Sequence, residues 1–104
     1  MQFFETLYLG QKVTKVNKIK KQILNRSIFV NAYVITLACN EDQLEIFDAK
    51  VLRQRYYQSN PRTIVGIAAD YEEAMELLLE ITKDSLSQGY EGRLKQFLID
   101  KETK

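Results

Sequence analysis

Apolar and polar positions alternate along this chain in three distinct rhythms. Residues 3–10, FFETLYLG, mix aromatic and β-branched types and stop at Gly10, which predicts a strand. In residues 12–26 the apolar positions Val13, Val16, Ile19 and Ile23 recur every three or four residues, so at helical pitch they share one face. Lys15, Lys18, Lys21 and Arg26 fall on the other side of that amphipathic helix, while Lys20 lands on the apolar side and must snorkel to water. SIFVNAYVITLAC, residues 27–39, is strand-like, and its second half, YVITLA, is nearly continuous in apolar residues, as in a strand buried on both faces. TIVGIAA, residues 63–69, repeats that pattern.

Between these two runs the pattern supports two readings. Asn40 stands three residues before Gln43, a helix-capping signature, and Leu44, Phe47 and Val51 then share a face. That helix would end near RYYQSNP, where Asn60-Pro61 marks a turn. The rival makes NEDQ a hairpin loop and LEIF a strand, because Leu44 and Ile46 alternate with polar residues. The capping signature favours the helix. After TIVGIAA, Asp70 is placed to cap a helix over residues 71–87, with Glu73 completing a capping box. Its apolar residues, from Tyr71, Ala74 and Met75 to Leu86, cover an arc of about 200°, wide enough to require partners on more than one side. Gly89 suits a helix stop, Leu94, Phe97 and Leu98 suggest a short closing helix, and residues 100–104 should fray. The whole reads as one α/β domain over residues 1–104, with a small, at least partly parallel sheet of three to four strands packed by three to four helices.

Composition narrows the chemistry. A chain of 104 residues, 45% hydrophobic, suffices for one core. It has no histidine, which removes His-based triads, HExxH zinc sites and mixed Cys/His fingers. The single cysteine, Cys39, cannot form an internal disulfide, the N-terminal residues show no signal-peptide pattern, and no apolar run spans a bilayer. The expectation is a cytoplasmic protein with no membrane partner, no cofactor and no metal. The net charge of +1 conceals an asymmetry: residues 11–40 carry six bases and no acid, whereas residues 63–104 hold nine acids against five bases.

Three candidate sites follow. Gly66 lacks the companions of a dinucleotide or P-loop motif and reads as close packing. If the two buried strands run parallel, their carboxyl ends form a ligand rim of Cys39, Asn40, Asp70 and Tyr71. Cys39 before a helix N-terminus would gain thiolate character there, although a small semi-buried core thiol is the plainer reading, and capping alone accounts for Asn40 and Asp70. A polyanion surface would combine Lys15, Lys18, Lys21 and Arg26 with Arg53 and Arg55, next to Tyr56 and Tyr57. Against it stand the near-neutral pI and the ordinary occurrence of solvated lysines on helices.

The succession LYLG, lysine-rich helix, VITLA, LEIF, YY and IVGIA…YEEA resembles small uncharacterised proteins of Gram-positive bacteria, along nearly the whole chain. Its motifs are structural, so the resemblance implies neither an activity nor site residues. The sequence therefore points first to a non-catalytic interaction module that forms a homodimer through the broad apolar arc of residues 71–87. A weak, sequence-tolerant nucleic-acid binder comes second, and a small-molecule-binding domain or enzyme at the rim third.

Overall fold

In the computed structural model, which describes residues 1–39 and 41–103, the run TIVGIA forms strand β4 (Thr63–Ala68). The other strands are β1 (Gln2–Leu9), β2 (Tyr33–Leu37) and β3 (Leu44–Asp48), and the sheet order is β1-β4-β2-β3. Five of the six residues of β4 are buried, as expected of a strand with a neighbour on each side and helices on both faces. It pairs parallel with β1 and antiparallel with β2, and β2 pairs antiparallel with β3. The fold is thus α/β with a mixed sheet.

Successive strand residues point to opposite faces, and two apolar clusters follow. On one face Val34, Ile64 and Ile67 pack against Val16, Ile19 and Ile23 of α1 (Val16–Leu24), Ala49 and Leu52 of a 3-10 turn (Ala49–Arg53), and Tyr57 of α2 (Arg55–Ser59). On the other, Ile35, Val65 and Ala68 pack against Ala74, Leu77 and Ile81 of α3 (Tyr71–Ser87) and Phe97 and Leu98 of α4 (Leu94–Glu102). Val34, Ile35, Ile64, Val65 and Ile67 are wholly buried, each contributing roughly 1.5–3 kcal/mol relative to exposure. Lys20 lays its ammonium over the Phe3 ring at 5.5 Å, the snorkelling its position requires.

Gly66 occupies an irregularity in β4. Ile35 pairs with Gly66 and Thr36 with Ile64, so β4 carries one extra residue at a bulge. A side chain there would press on the Tyr8 carbonyl and on Ile35, which agrees with the close-packing reading.

The helix expected from Asn40–Gln43 onward is absent, and the rival reading holds. Residues 44–48 form β3, with Leu44 opposite Leu37 and Asp48 opposite Tyr33. Its pairing satisfies the edge of β2 and turns Leu44 and Ile46 toward the α3–α4 face. Helical structure begins only at Ala49, where Asp48 accepts a hydrogen bond from the Lys50 amide at 3.0 Å. Asn40 itself lies outside the described residues. The tail expected to fray is helical as far as Glu102, whose carboxylate accepts from the Glu5 amide at 2.7 Å.

α3 starts and stops as its sequence dictates. Asp70 accepts from the Glu73 amide at 2.8 Å. At the other end Gly89, at φ +83°, lets its own amide reach the Leu86 carbonyl and that of Tyr90 reach Ser85, both at 3.0 Å. The capping box is altered, however. The Glu73 carboxylate accepts from the Ala69 amide at 2.8 Å and from the Lys12 amide at 3.0 Å, tying the end of β4 to the segment after β1. Gly10 leaves the space for it, since any Cβ at that position would overlap the carboxylate.

This arrangement predicts a coupled pair. Gly10→Ala should destabilise the protein by about 1–3 kcal/mol, the usual overpacking cost. Its effect in a Glu73→Ala background should be much smaller. Urea unfolding of the two single variants and the double variant measures that coupling; additive effects would show that Gly10 and Glu73 do not share the space.

Candidate functional site

The proposed rim depends on strand direction, and the structure divides it. Because β2 runs antiparallel to β4, Cys39 beyond β2 lies at the opposite end of the sheet from Asp70 and Tyr71 beyond β4. The carboxyl ends that do lie side by side belong to β1 and β4, and the Glu73 carboxylate occupies the space between them. Asp70 caps α3 and pairs with Lys12 at 3.2 Å; the capping amide, then Lys12, hold its carboxyl below the ordinary range, and Asp70 raises Lys12 in return. Tyr71 meets Tyr33 edge to face at 5.9 Å. Cys39 is exposed rather than semi-buried, with no helix directly after it, and accepts a hydrogen bond from the buried Arg62 guanidinium. Nothing in this arrangement forms a shared ligand pocket.

The basic residues fare differently. Lys15, Lys18, Lys21 and Arg26 are all exposed. Arg53, distant in sequence, donates from Nε to the Arg26 carbonyl at 3.1 Å, and α1 packs beside the 3-10 turn that carries Arg53. The basic surface therefore continues from α1 onto that turn. Arg55 is exposed at the start of α2. Of the two tyrosines, Tyr56 is exposed, while Tyr57 packs into the core against Phe47 at 5.3 Å with Arg62 stacked on it. Tyr57 thus serves the core edge, and only Tyr56 is available to a partner.

α3 has two unlike flanks. Toward β1 it presents Glu73, Glu80 and Asp84, and Asp84 accepts from the Tyr8 hydroxyl at 2.7 Å. The opposite flank carries Tyr71, Met75, Leu79 and Leu86, all exposed although apolar. At 100° per residue these four span only about 80° of the helix. The Tyr71–Tyr33 contact places the start of this flank on the β2–β3 side of the sheet. There Tyr33, Leu37, Leu44 and Ile46 are only partly buried, and β3 is an edge strand.

One cluster escaped the sequence reading. Tyr8, Asp84 and Lys101 come together from β1, α3 and α4: Lys101 donates to the Tyr8 hydroxyl at 3.0 Å and lies 4.4 Å from the Tyr8 ring centroid. Asp84 and Lys101 also line a cleft of about 240 Å³, together with Ser87, Gln88, Tyr90 and Phe97. Desolvation, then the hydrogen bond to Asp84, push the Tyr8 hydroxyl well above its ordinary range, so it remains a proton donor and is unsuited to act as a base. Tyr90, bonded to Asp100 at 2.7 Å, is raised as well, chiefly through that bond. The three residues are 93 positions apart at the extremes, and no local spacing signals them. Among the described residues no group of three or more metal-ligating side chains converges, and no helix is long and apolar enough to cross a membrane. No family model, curated protein or solved structure matches the chain.

The raised tyrosines give a signed prediction. The folded state holds their protons above the unfolded value of 10.0, so their contribution is complete below pH 10 and falls as pH rises beyond it. Urea midpoints for wild type should decline above about pH 10. Tyr8→Phe should decline less steeply over the same range; identical slopes would contradict the assignment.

Proposed function

We propose that this chain is a non-catalytic interaction module that self-associates as a homodimer through the apolar flank of α3 and the adjoining edge of the sheet. The observation that carries the reading is the exposed row Tyr71, Met75, Leu79 and Leu86, whose first residue meets Tyr33 on the β2–β3 side of the sheet, where Ile46 of edge strand β3 is only half-buried. Apolar surface grouped in this way favours burial against a partner. A strand edge offers unpaired amides and carbonyls, and a second copy presents the same edge and the same flank, so a twofold contact satisfies both. A cytoplasmic setting fits a chain with one unpaired thiol.

Light scattering at micromolar concentration should give about twice the 12.2 kDa chain mass. Replacing Met75 and Leu79 together by Ser should give a folded monomer, because both side chains are exposed. A wild-type monomer over a wide concentration range would defeat the proposal.

A second reading, polyanion binding on the α1 face, is favoured by the Arg53–Arg26 bond that extends the basic surface. Lys15→Glu, Lys18→Glu and Lys21→Glu combined should leave the fold intact, since all three side chains are exposed. They should abolish retention on heparin, which must itself weaken steeply with salt because each neutralised phosphate or sulfate releases counterions. Retention unchanged by the three substitutions would assign it elsewhere.

A further inference from the structure

The segment joining α1 to β2 exposes apolar side chains where all the local charge is positive. Phe29 is 77% exposed, Ile28 58% and Leu24, the last residue of α1, 55%. The tip is held in place from both sides. The Arg26 amide bonds to the Ile23 carbonyl and the Ser27 amide to that of Gln22, Ser27 Oγ accepts from the Phe29 amide at 3.1 Å, and Val30 is buried. Phe29 and Lys18 line one shallow depression of about 250 Å³, and Lys18 and Lys21 line its neighbour. Residues 11–40 contain no acid, and among the described residues neither Lys18 nor Lys21 forms an ion pair.

We propose that this knuckle seats on the surface of an anionic lipid bilayer. Ile28 and Phe29 enter between the headgroups, Leu24 flanks them, and Lys18 and Lys21 meet the lipid phosphates. The inference rests on the reading of the α1 face as polyanion-binding and names the polyanion. Nucleic acid presents phosphates too, and its bases stack on an aromatic ring such as Phe29. It offers nothing to the aliphatic Leu24 and Ile28, which would stay in water, whereas a bilayer interface takes up all three. The contact is peripheral and reversible. Its electrostatic part acts only within a Debye length, so added salt weakens it.

Sedimentation with vesicles tests the proposal. The full chain should bind vesicles of equimolar phosphatidylcholine and phosphatidylglycerol and not phosphatidylcholine alone. Lys18→Gln with Lys21→Gln should lower partitioning roughly thirtyfold, each lysine near an anionic surface accounting for about a fivefold factor. Ile28→Ser with Phe29→Ser, both exposed and checked for fold by circular dichroism, should lose vesicle binding and keep heparin retention. Vesicle binding unchanged in that variant would overturn the insertion of the knuckle. Heparin retention without vesicle binding would overturn the lipid assignment alone, and Phe29-dependent binding of single-stranded oligonucleotides would then give the surface to nucleic acid. Binding to neither heparin nor vesicles would remove this proposal and the polyanion reading together.

Discussion

Strand β4 pairs in opposite senses on its two sides, parallel with β1 and antiparallel with β2, and the remaining elements are arranged around that double pairing. Its buried residues feed both cores: Ile64 and Ile67 on the side of α1, Val65 and Ala68 on the side of α3. The bulge at Val65–Gly66 lets the strand keep both neighbours while changing register. Glu73 then fastens the ends of the parallel pair by accepting from two amides, one after each strand. A buried carboxylate with two such donors holds that end closed. The place where an open α/β sheet would ordinarily receive a ligand is therefore filled by a side chain of the protein itself.

With that rim closed, functional interest moves to the surface, where apolar residues stand outside the core in two places. On α3 they form a row that starts on the β2–β3 side of the sheet, and near α1 they form a knuckle next to lysines. The two differ in the chemistry around them. Half-buried apolar residues of β2 and β3 lie on the side of the sheet where the α3 row begins, whereas the knuckle adjoins Lys18 and Lys21, which form no ion pair among the described residues. The first suits a self-complementary protein contact and the second an anionic surface, so one small domain has room for both. The Tyr8–Asp84–Lys101 cluster joins three elements across the sheet edge, and its hydrogen bonds are mutually satisfied.

Local pattern made β2, β4, α1 and α3 legible because each rests on a periodicity contained within its own residues. β3 was misread for a definite reason: Leu44 and Ile46 fit period two while Leu44, Phe47 and Val51 fit a helix, and only the open edge of β2 decides between them. Strand direction is likewise not written in a strand, so the rim that joined Cys39 to Asp70 could not be tested until β2 was placed antiparallel to β4. Glu73 was identified as a capping residue, yet its partner Lys12 is 61 positions away. The apolar residues of SIFV carried a strand signal and gave no indication that Ile28 and Phe29 face water. Of the basic residues expected on one helix face, Lys18 and Lys21 lie within α1, whereas Lys15 is its N-cap and Arg26 follows its end at φ 54°. The contribution of Arg53 depends on a tertiary contact with Arg26 that no local spacing signals.

The proposed contact between copies makes a claim about particular amides, and hydrogen exchange reads them directly. Exchange followed at low and at high protein concentration should show residues 44–48 of β3 becoming protected as concentration rises, because the free edge acquires hydrogen-bond partners. α1, on the opposite face of the sheet, should exchange at the same rate in both samples. Exchange in β3 that does not change with concentration, or protection confined to α1, would contradict the assignment of this edge and flank as the contact surface.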